Sequence, residues 1–281
     1  MIDHLADRGR HRKASVVRIA LVFPEMLGTY GDGGNAIALT YRLRARGMAA
    51  QVVTVHGSDT LPTSCDIYLI GGSEDSPQRR AAERLAHGEL ALAVDRGAAV
   101  LAVCSALQLL GMTFPAVDGR PLPGVGLLPC CTTHPPAGTV RAVGDVIVRP
   151  EPASGLPDIV GFENHRARTV LEPGATPLGT CLRGYGNDAT ARGGERADGI
   201  MHGRLVGTYL HGPVLALNPA LADLILTWIV GDLTPLTDPI HDDRVHRARN
   251  RRLTGSPDRH RKSRPSRWVR GPRFRLGSWG R

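Results

Sequence analysis

The chain has 281 residues, 42% of them hydrophobic and 22% charged, enough apolar material for one large or two small packed domains without a disulfide or metal staple. No run approaches about 18 consecutive apolar residues, which excludes an ordinary transmembrane helix. The net charge of +9 is local: from position 241 to 281, 14 Lys and Arg face three Asp, whereas residues 1–240 carry 21 basic and 23 acidic side chains. A nearly neutral body excludes general nucleic-acid binding by that part of the chain.

The N-terminal stretch MIDHLADRGRHRK is polar, and no apolar core of signal-peptide form follows it, so a cytoplasmic protein is expected. The five cysteines, Cys65, Cys104, Cys130, Cys131 and Cys181, form no CxxC pair. Reduced thiols are expected, and neither structural zinc nor any other cofactor.

Residues 1–15 read as a flexible leader. Val16–Phe23 (VVRIALVF) reads as a buried strand stopped by Pro24. The loop MLGTYGDGGN follows, and Asn35 is expected to cap a helix that runs to about Arg46. Ala50–Val55 and Asp66–Ile70 are the next strands, the latter ended by Gly71-Gly72. One long helix is expected from Pro77 or Gln78 to about Arg96, with Gly97 as its stop. Ala98–Val103 is a fourth strand, and Ser105–Leu110 opens another helix. Strands alternating with helices predict an α/β fold with a mostly parallel twisted sheet flanked by helices. Ligands in such folds bind at the carboxyl ends of the strands, where GDGGN, GGSEDS and CSA should gather.

The second half reads as richer in strands: Val125–Leu128, Arg141–Val148, Ile159–Phe162, Gly199–Met201 and Leu205–Tyr209. Pro219–Val230 carries Leu221, Leu224, Ile225, Trp228 and Ile229 at helical spacing. The expected organisation is one domain over 16–238 and a basic, largely disordered tail over 239–281.

Cys104, in AVLAVCSALQLLG, falls between an apolar strand and a helix. That turn exposes a thiol at the edge of the sheet and sets the helix N-terminus beside it, which favours the thiolate. The Ser105 N–H would face an oxyanion forming next to the sulfur. A buried, inert cysteine is the competing reading. A thiol nucleophile needs a base distant in sequence. His211, directly after a strand in LVGTYLHGP, is the first candidate and His165 in GFENH the competitor. Gly71-Gly72 permits the close backbone approach needed to aim a second N–H at the oxyanion, which assigns that role to Gly72. GDGGN lacks both the Lys of a phosphate loop and GxGxxG spacing, so a nucleotide site is not expected.

The blocks GDGGN (Gly31–Asn35), YLIGGSEDSPQ, VCSALQLLG, GFENH, GYGN (Gly184–Asn187) and TYLHGP occur in an order that resembles class I glutamine amidotransferases of the cobyric-acid-synthase-like branch. The resemblance covers roughly residues 16–238. Within that branch the chain looks most like the free-standing glutaminase subunits of lipid II isoglutaminyl synthase. It implies hydrolysis of L-glutamine to glutamate and ammonia. It also implies a separate Mur-ligase-like, ATP-dependent partner subunit (MurT type), which uses the ammonia to amidate D-glutamate of lipid II in peptidoglycan synthesis. Carried over by motif, Cys104 is the nucleophile, His211 the base and later acid, and Arg141 the contact to the glutamine substrate. A guanidinium suits the α-carboxylate. A weak surface ion pair is the alternative for Arg141.

Four departures from the family pattern stand out, one of them the unusual segment CCTTHPPAG before Arg141. Ser73 replaces a third glycine. Ala106 stands where a glycine is usual, and a positive φ there would strain it by about 1 kcal/mol or more. Pro213 occupies the place of the Glu that completes Cys-His-Glu triads, so a Cys-His dyad is expected and no third member is assigned. Two other functions compete: a glutaminase for a corrin-type substrate, which the missing ATP-binding synthetase region disfavours, and a catalytically weak binding or scaffold subunit. The tail from about Thr254 to Arg281 is expected to be dispensable for hydrolysis and to favour anionic surfaces, inner-leaflet lipid headgroups ahead of nucleic acid, with a solvated, idle tail as the competing reading.

Overall fold

The computed structural model describes residues 16–73, 75–188 and 196–236, with single positions 242, 244, 245, 248 and 251 beyond them. The expected leader and the tail from 252 onward lie outside the described residues. In chain order the elements begin with β1 (Val17–Val22), α1 (Gly34–Arg44), β2 (Ala50–Val55), β3 (Ile67–Ile70), α2 (Asp75–Leu85), α3 (Glu89–Asp95), β4 (Ala99–Val103) and α4 (Ser105–Leu110). They continue with β5 (Thr113–Pro115), β6 (Pro121–Pro123), β7 (Cys130–Thr133), β8 (Ala142–Pro150), β9 (Ile159–His165), β10 (Arg168–Leu171) and β11 (Gly179–Arg183). The last are β12 (Ala197–Asp198), β13 (Ile200–His202), β14 (Leu205–Thr208), α5 (Val214–Leu217) and α6 (Pro219–Val230).

The central sheet runs β13-β14-β4-β3-β1-β2, with every pair parallel except β13 with β14. Every residue of β3 and of β4 is buried, as expected for parallel strands covered on both faces. Two four-stranded sheets are built by the second half: β10-β7-β5-β6 and β12-β11-β8-β9. The mixed α/β architecture expected from the alternating pattern is therefore present, with two smaller sheets added to it.

Local departures have local causes. The long helix expected over 77–96 is two helices, because Gly88 takes a left-handed φ of 96° between α2 and α3. Gly33, not Asn35, precedes α1. Asn35 is buried inside the helix, and its Oδ1 accepts the Leu215 N–H at 2.9 Å, tying α1 to α5. Val125–Leu128 is not a strand. The N–H groups of Val125, Leu127 and Leu128 donate to the Leu109 and Leu110 carbonyls at the end of α4, satisfying a helix terminus rather than a ladder. Ala106 carries no positive φ; it is fully buried in α4, and the left-handed backbone falls on Cys104 instead.

Arg42 of α1 binds Asp223 of α6 through Nε and Nη2, each at 2.6 Å, and Asp242 through Nη1 at 2.8 Å. Position 242 thus packs on the domain, and helical positions recur at 244, 245, 248 and 251.

Asp198 is fully buried at the end of β12, accepting from Thr208 Oγ1 at 2.5 Å and the Tyr209 N–H at 3.2 Å. Burial pushes its carboxyl up to about 7, whereas an unfolded aspartate titrates near about 3.9. The folded state holds the proton more tightly. Its contribution to stability is therefore full below pH ~4 and is lost as pH rises through ~7. Asp198→Asn removes this dependence. The urea midpoint of the variant, relative to that of the wild type, should climb between pH ~4 and ~7.5. A relative midpoint that falls over that range contradicts the assignment.

Candidate active site

β4 and β14 are neighbours, and the Cys104 N–H donates to the Thr208 carbonyl at 2.8 Å. The chain leaves both strands at the same end of the sheet, which is how Cys104 and His211 come together across more than 100 residues of sequence. Cys104 is 5% exposed and turns the chain into α4 with φ 56° and ψ −109°. A non-glycine residue in that region costs of order 1–3 kcal/mol and persists where the surroundings hold it, commonly at functional sites.

His211 is 0% exposed. Its backbone exchanges two hydrogen bonds with Phe162 of β9: the Phe162 N–H donates to the His211 carbonyl at 3.1 Å and the His211 N–H to the Phe162 carbonyl at 2.8 Å. The GFENH and TYLHGP motifs meet at this bridge. The imidazole stacks on Phe162 with centroids 5.3 Å apart and tilts against Tyr30 at 4.5 Å. Gly72 lies directly against both side chains. A Cβ on it would stand 2.8 Å from His211 Cε1 and 3.2 Å from Cys104 Cβ, so only glycine fits without displacing one of them.

The amides of this glycine loop are engaged. The Gly72 N–H donates to Asp32 Oδ2 at 2.8 Å, and the Ser73 N–H to Ser105 Oγ at 2.8 Å. Gly72 was expected to offer its N–H to an oxyanion, but it is held by a carboxylate, a charge-assisted bond roughly twice as strong as a neutral one. The Ser73 N–H donates to a neutral hydroxyl, the weaker kind of acceptor and the more easily exchanged. The Ser105 N–H opens α4, where helical N–H groups have no acceptor in their own helix. Asp32 was not singled out from the sequence. It is 3% exposed, and its Oδ1 lies 3.6 Å from His211 Nδ1.

A cavity of about 260 Å³ is lined by Ser73, Cys104, Gln108, Arg141, Asn164 and His165, among others. Arg141, just before β8, thus shares the cavity with the thiol. Its Nη2 donates to the Asn164 carbonyl at 3.0 Å and its Nε to Asn164 Oδ1. The Asn164 Nδ2 in turn donates to Tyr30 Oη at 3.3 Å. The parallel sheet therefore supplies Cys104 and His211, while the β8–β9 pair supplies the polar wall opposite. His165 lies in that wall and stacks on Tyr209 at 4.0 Å. Its Nε2 faces Glu163 Oε2 at 3.3 Å, and Glu163 also accepts the Tyr185 and Gly186 N–H groups at 2.9 and 3.0 Å. Burial holds the His165 imidazole below the ordinary histidine range, although Glu163 pulls the other way. Asp198, whose carboxyl burial pushes up, stands apart from this cavity's lining.

Acyl transfer through a thioester, with an imidazole moving the protons, is the chemistry open to this pair of side chains, and it is the chemistry of thiol-dependent amidotransferases. Residues 18–219 match the model of the CobB/CobQ-like glutamine amidotransferase domain, and the chain belongs to that family. It is an enzyme of the glutaminase type. Over 205 residues it is 35% identical to the GatD subunit of lipid II isoglutaminyl synthase (glutamine-hydrolyzing) of Staphylococcus aureus, covering 72% of this chain and 79% of that protein. The GatD subunit of Streptococcus pneumoniae is 30% identical over 215 residues, covering 75% of this chain and 79% of its own length. A probable cobyric acid synthase of Methanopyrus kandleri is 31% identical over 194 residues, but these span only 37% of it. Among the described residues no helix is long and apolar enough to cross a membrane.

Proposed function

We propose that this chain is the glutaminase subunit of a two-subunit amidotransferase. It hydrolyses L-glutamine and hands the ammonia to a Mur-ligase-like, ATP-dependent partner that amidates D-glutamate of lipid II. The observation that carries the glutamine reading is the cavity that Cys104 and Arg141 line together. A thiol and a guanidinium facing one small volume support the reading of Cys104 as nucleophile and of Arg141 as the α-carboxylate anchor. The lipid II assignment rests on the two GatD relatives, each matched over 79% of its length, against 37% for the cobyric acid synthase. A subunit with this role works in the cytoplasm, where lipid II presents its head group at the inner membrane face.

In this reading Arg141 grips the α-carboxylate of glutamine. The Cys104 thiolate attacks the side-chain amide carbon, and the Ser105 and Ser73 N–H groups receive the oxyanion. His211 protonates the departing ammonia, leaving a thioester on Cys104. It then takes a proton from water, which hydrolyses the thioester to glutamate. Three of the departures in sequence are compatible with this scheme. Ala106 lies in regular helix, Ser73 contributes an amide that any residue carries, and Pro213 takes no part.

Arg141→Ala should raise KM for glutamine more than it lowers kcat. Loss of a hydrogen bond to a charged group costs about 1.5–3 kcal/mol, or roughly 10- to 150-fold. Steady-state kinetics on the purified variant measure the split, and an unchanged KM would assign the carboxylate to another residue. The whole reading is tested by co-expressing the chain with a Mur-ligase-like subunit. Glutamate release, and ATP- and glutamine-dependent amidation of lipid II, are expected. Amidation from free ammonia alone, with glutamine inert, would remove the glutaminase role. Glutamine hydrolysis without lipid II amidation would favour a different acceptor.

A further inference from the structure

Asp32 lies in the GDGGN loop after β1, and its two carboxylate oxygens have different fates. Oδ2 accepts the Gly72 N–H at 2.8 Å. Oδ1 is buried, has no hydrogen-bond partner among the described residues, and sits 3.6 Å from His211 Nδ1. Neither ring nitrogen of His211 has a hydrogen-bond partner there either. Leaving such groups buried and unpaired costs about 1–3 kcal/mol each, a cost that structure alone gives no reason to keep. A separation of 3.6 Å is longer than a formed hydrogen bond. Catalytic contacts are often long in the ligand-free state and tighten as the reaction proceeds.

We infer that Asp32 is the positioning residue of His211. Its carboxylate accepts a proton-bearing Nδ1, which fixes the tautomer that leaves Nε2 as the proton-accepting nitrogen. It also stabilises the imidazolium that forms as the thiol is activated. The acid is supplied by the loop after the first strand, 179 residues before the histidine and not two after it. The same carboxylate anchors the Gly72 amide, so one side chain sets both the base and the glycine that touches Cys104 and His211. The inference rests on the reading of His211 as the base of a glutaminase.

Asp32→Asn separates positioning from scaffolding. The amide has the shape of the carboxylate. Its carbonyl can still accept the Gly72 N–H, while its NH₂ faces Nδ1 and forces the opposite tautomer. An Asp→Asn change behind the histidine of a Ser-His-Asp triad lowers kcat by about 10⁴ for this reason. The expected result here is a kcat lower by roughly 10²–10⁴-fold with KM nearly unchanged. Nitrogen-15 NMR of the glutamine-free protein should find the His211 proton on Nδ1 in the wild type and on Nε2 in Asp32→Asn. A folded variant with wild-type kcat would overturn the inference. So would a wild-type His211 protonated on Nε2 alone, a measurement that stands even where the variant fails to fold. A wild type that releases no glutamate would remove the glutaminase reading and leave the tautomer result intact.

Discussion

Cys104→Ala should bring glutamine hydrolysis down to background while the protein stays folded. The side chain is the one thiol in the cavity shared with Arg141, and it leads directly into α4. Of the other cysteines, Cys130 and Cys181 are unsuited to attack, since burial pushes the Cys130 thiol up to about 12 and raises that of Cys181 further. A thiolate is the nucleophilic form, so neither substitutes for Cys104. Removing the nucleophile of a hydrolase costs on the order of 10⁶-fold in kcat. Glutamate release by the purified variant, with a circular-dichroism melt to show folding, is the measurement. Activity within tenfold of wild type would end the nucleophile assignment. A companion variant tests the backbone. Cys104→Gly lacks the thiol as well, but glycine accepts φ 56° and ψ −109° without the Cβ clash. It should be more stable than Cys104→Ala by about 1 kcal/mol, the low end of the strain expected there. Equal stability would mean that the turn at the nucleophile is unstrained.

The strands that lead to Cys104 and His211 were readable because their signal is local. β4 is a run of five apolar residues followed by Cys104, and β14 lies three residues before His211. Their adjacency follows from the parallel sheet that the alternating pattern implies. The partner of the histidine was not readable in the same way. Asp32 belongs to a loop whose glycines suggest a turn and nothing more. Its meeting with His211 is made only when the loops after β1, β3 and β14 converge. The second half was harder for a different reason. β5, β6 and β12 have two or three residues each, too few to show a period. The apolar run at 125–128 was misleading because its N–H groups serve the end of α4. The break at Gly88 shows the same limit: a glycine within a helical pattern is tolerated or decisive according to the packing around it.

The polar wall explains why GFENH is a block rather than a single residue. Glu163 takes two backbone N–H groups and faces His165, Asn164 holds Arg141 and reaches Tyr30, and Phe162 both pairs with and stacks on His211. Gly161 completes it, since a Cβ there would stand 2.6 Å from the His211 carbonyl. One strand thus contacts both His211 and Arg141. On the proposed roles, binding and catalysis would meet at β9 even though their residues come from different sheets.

His211→Ala should be nearly as damaging as loss of the thiol, and it distinguishes the two histidines. Both ammonia departure and thioester hydrolysis need a proton moved at the reacting atoms, and general acid–base loss costs roughly 10²–10⁴-fold. His211 meets the same glycine as Cys104 and has both ring nitrogens without hydrogen-bond partners among the described residues. His165 also lines the cavity, but its Nε2 is turned to Glu163 and its ring rests on Tyr209. Its lowered affinity for a proton makes it a neutral wall residue. His165→Ala should therefore lose substrate affinity and some thermal stability while keeping more turnover than His211→Ala. Single-turnover glutamate release and melting curves on the two variants, made side by side, decide the matter. If His165→Ala is dead and His211→Ala turns over, the base lies in the GFENH strand, and the contact between Asp32 and His211 is structural.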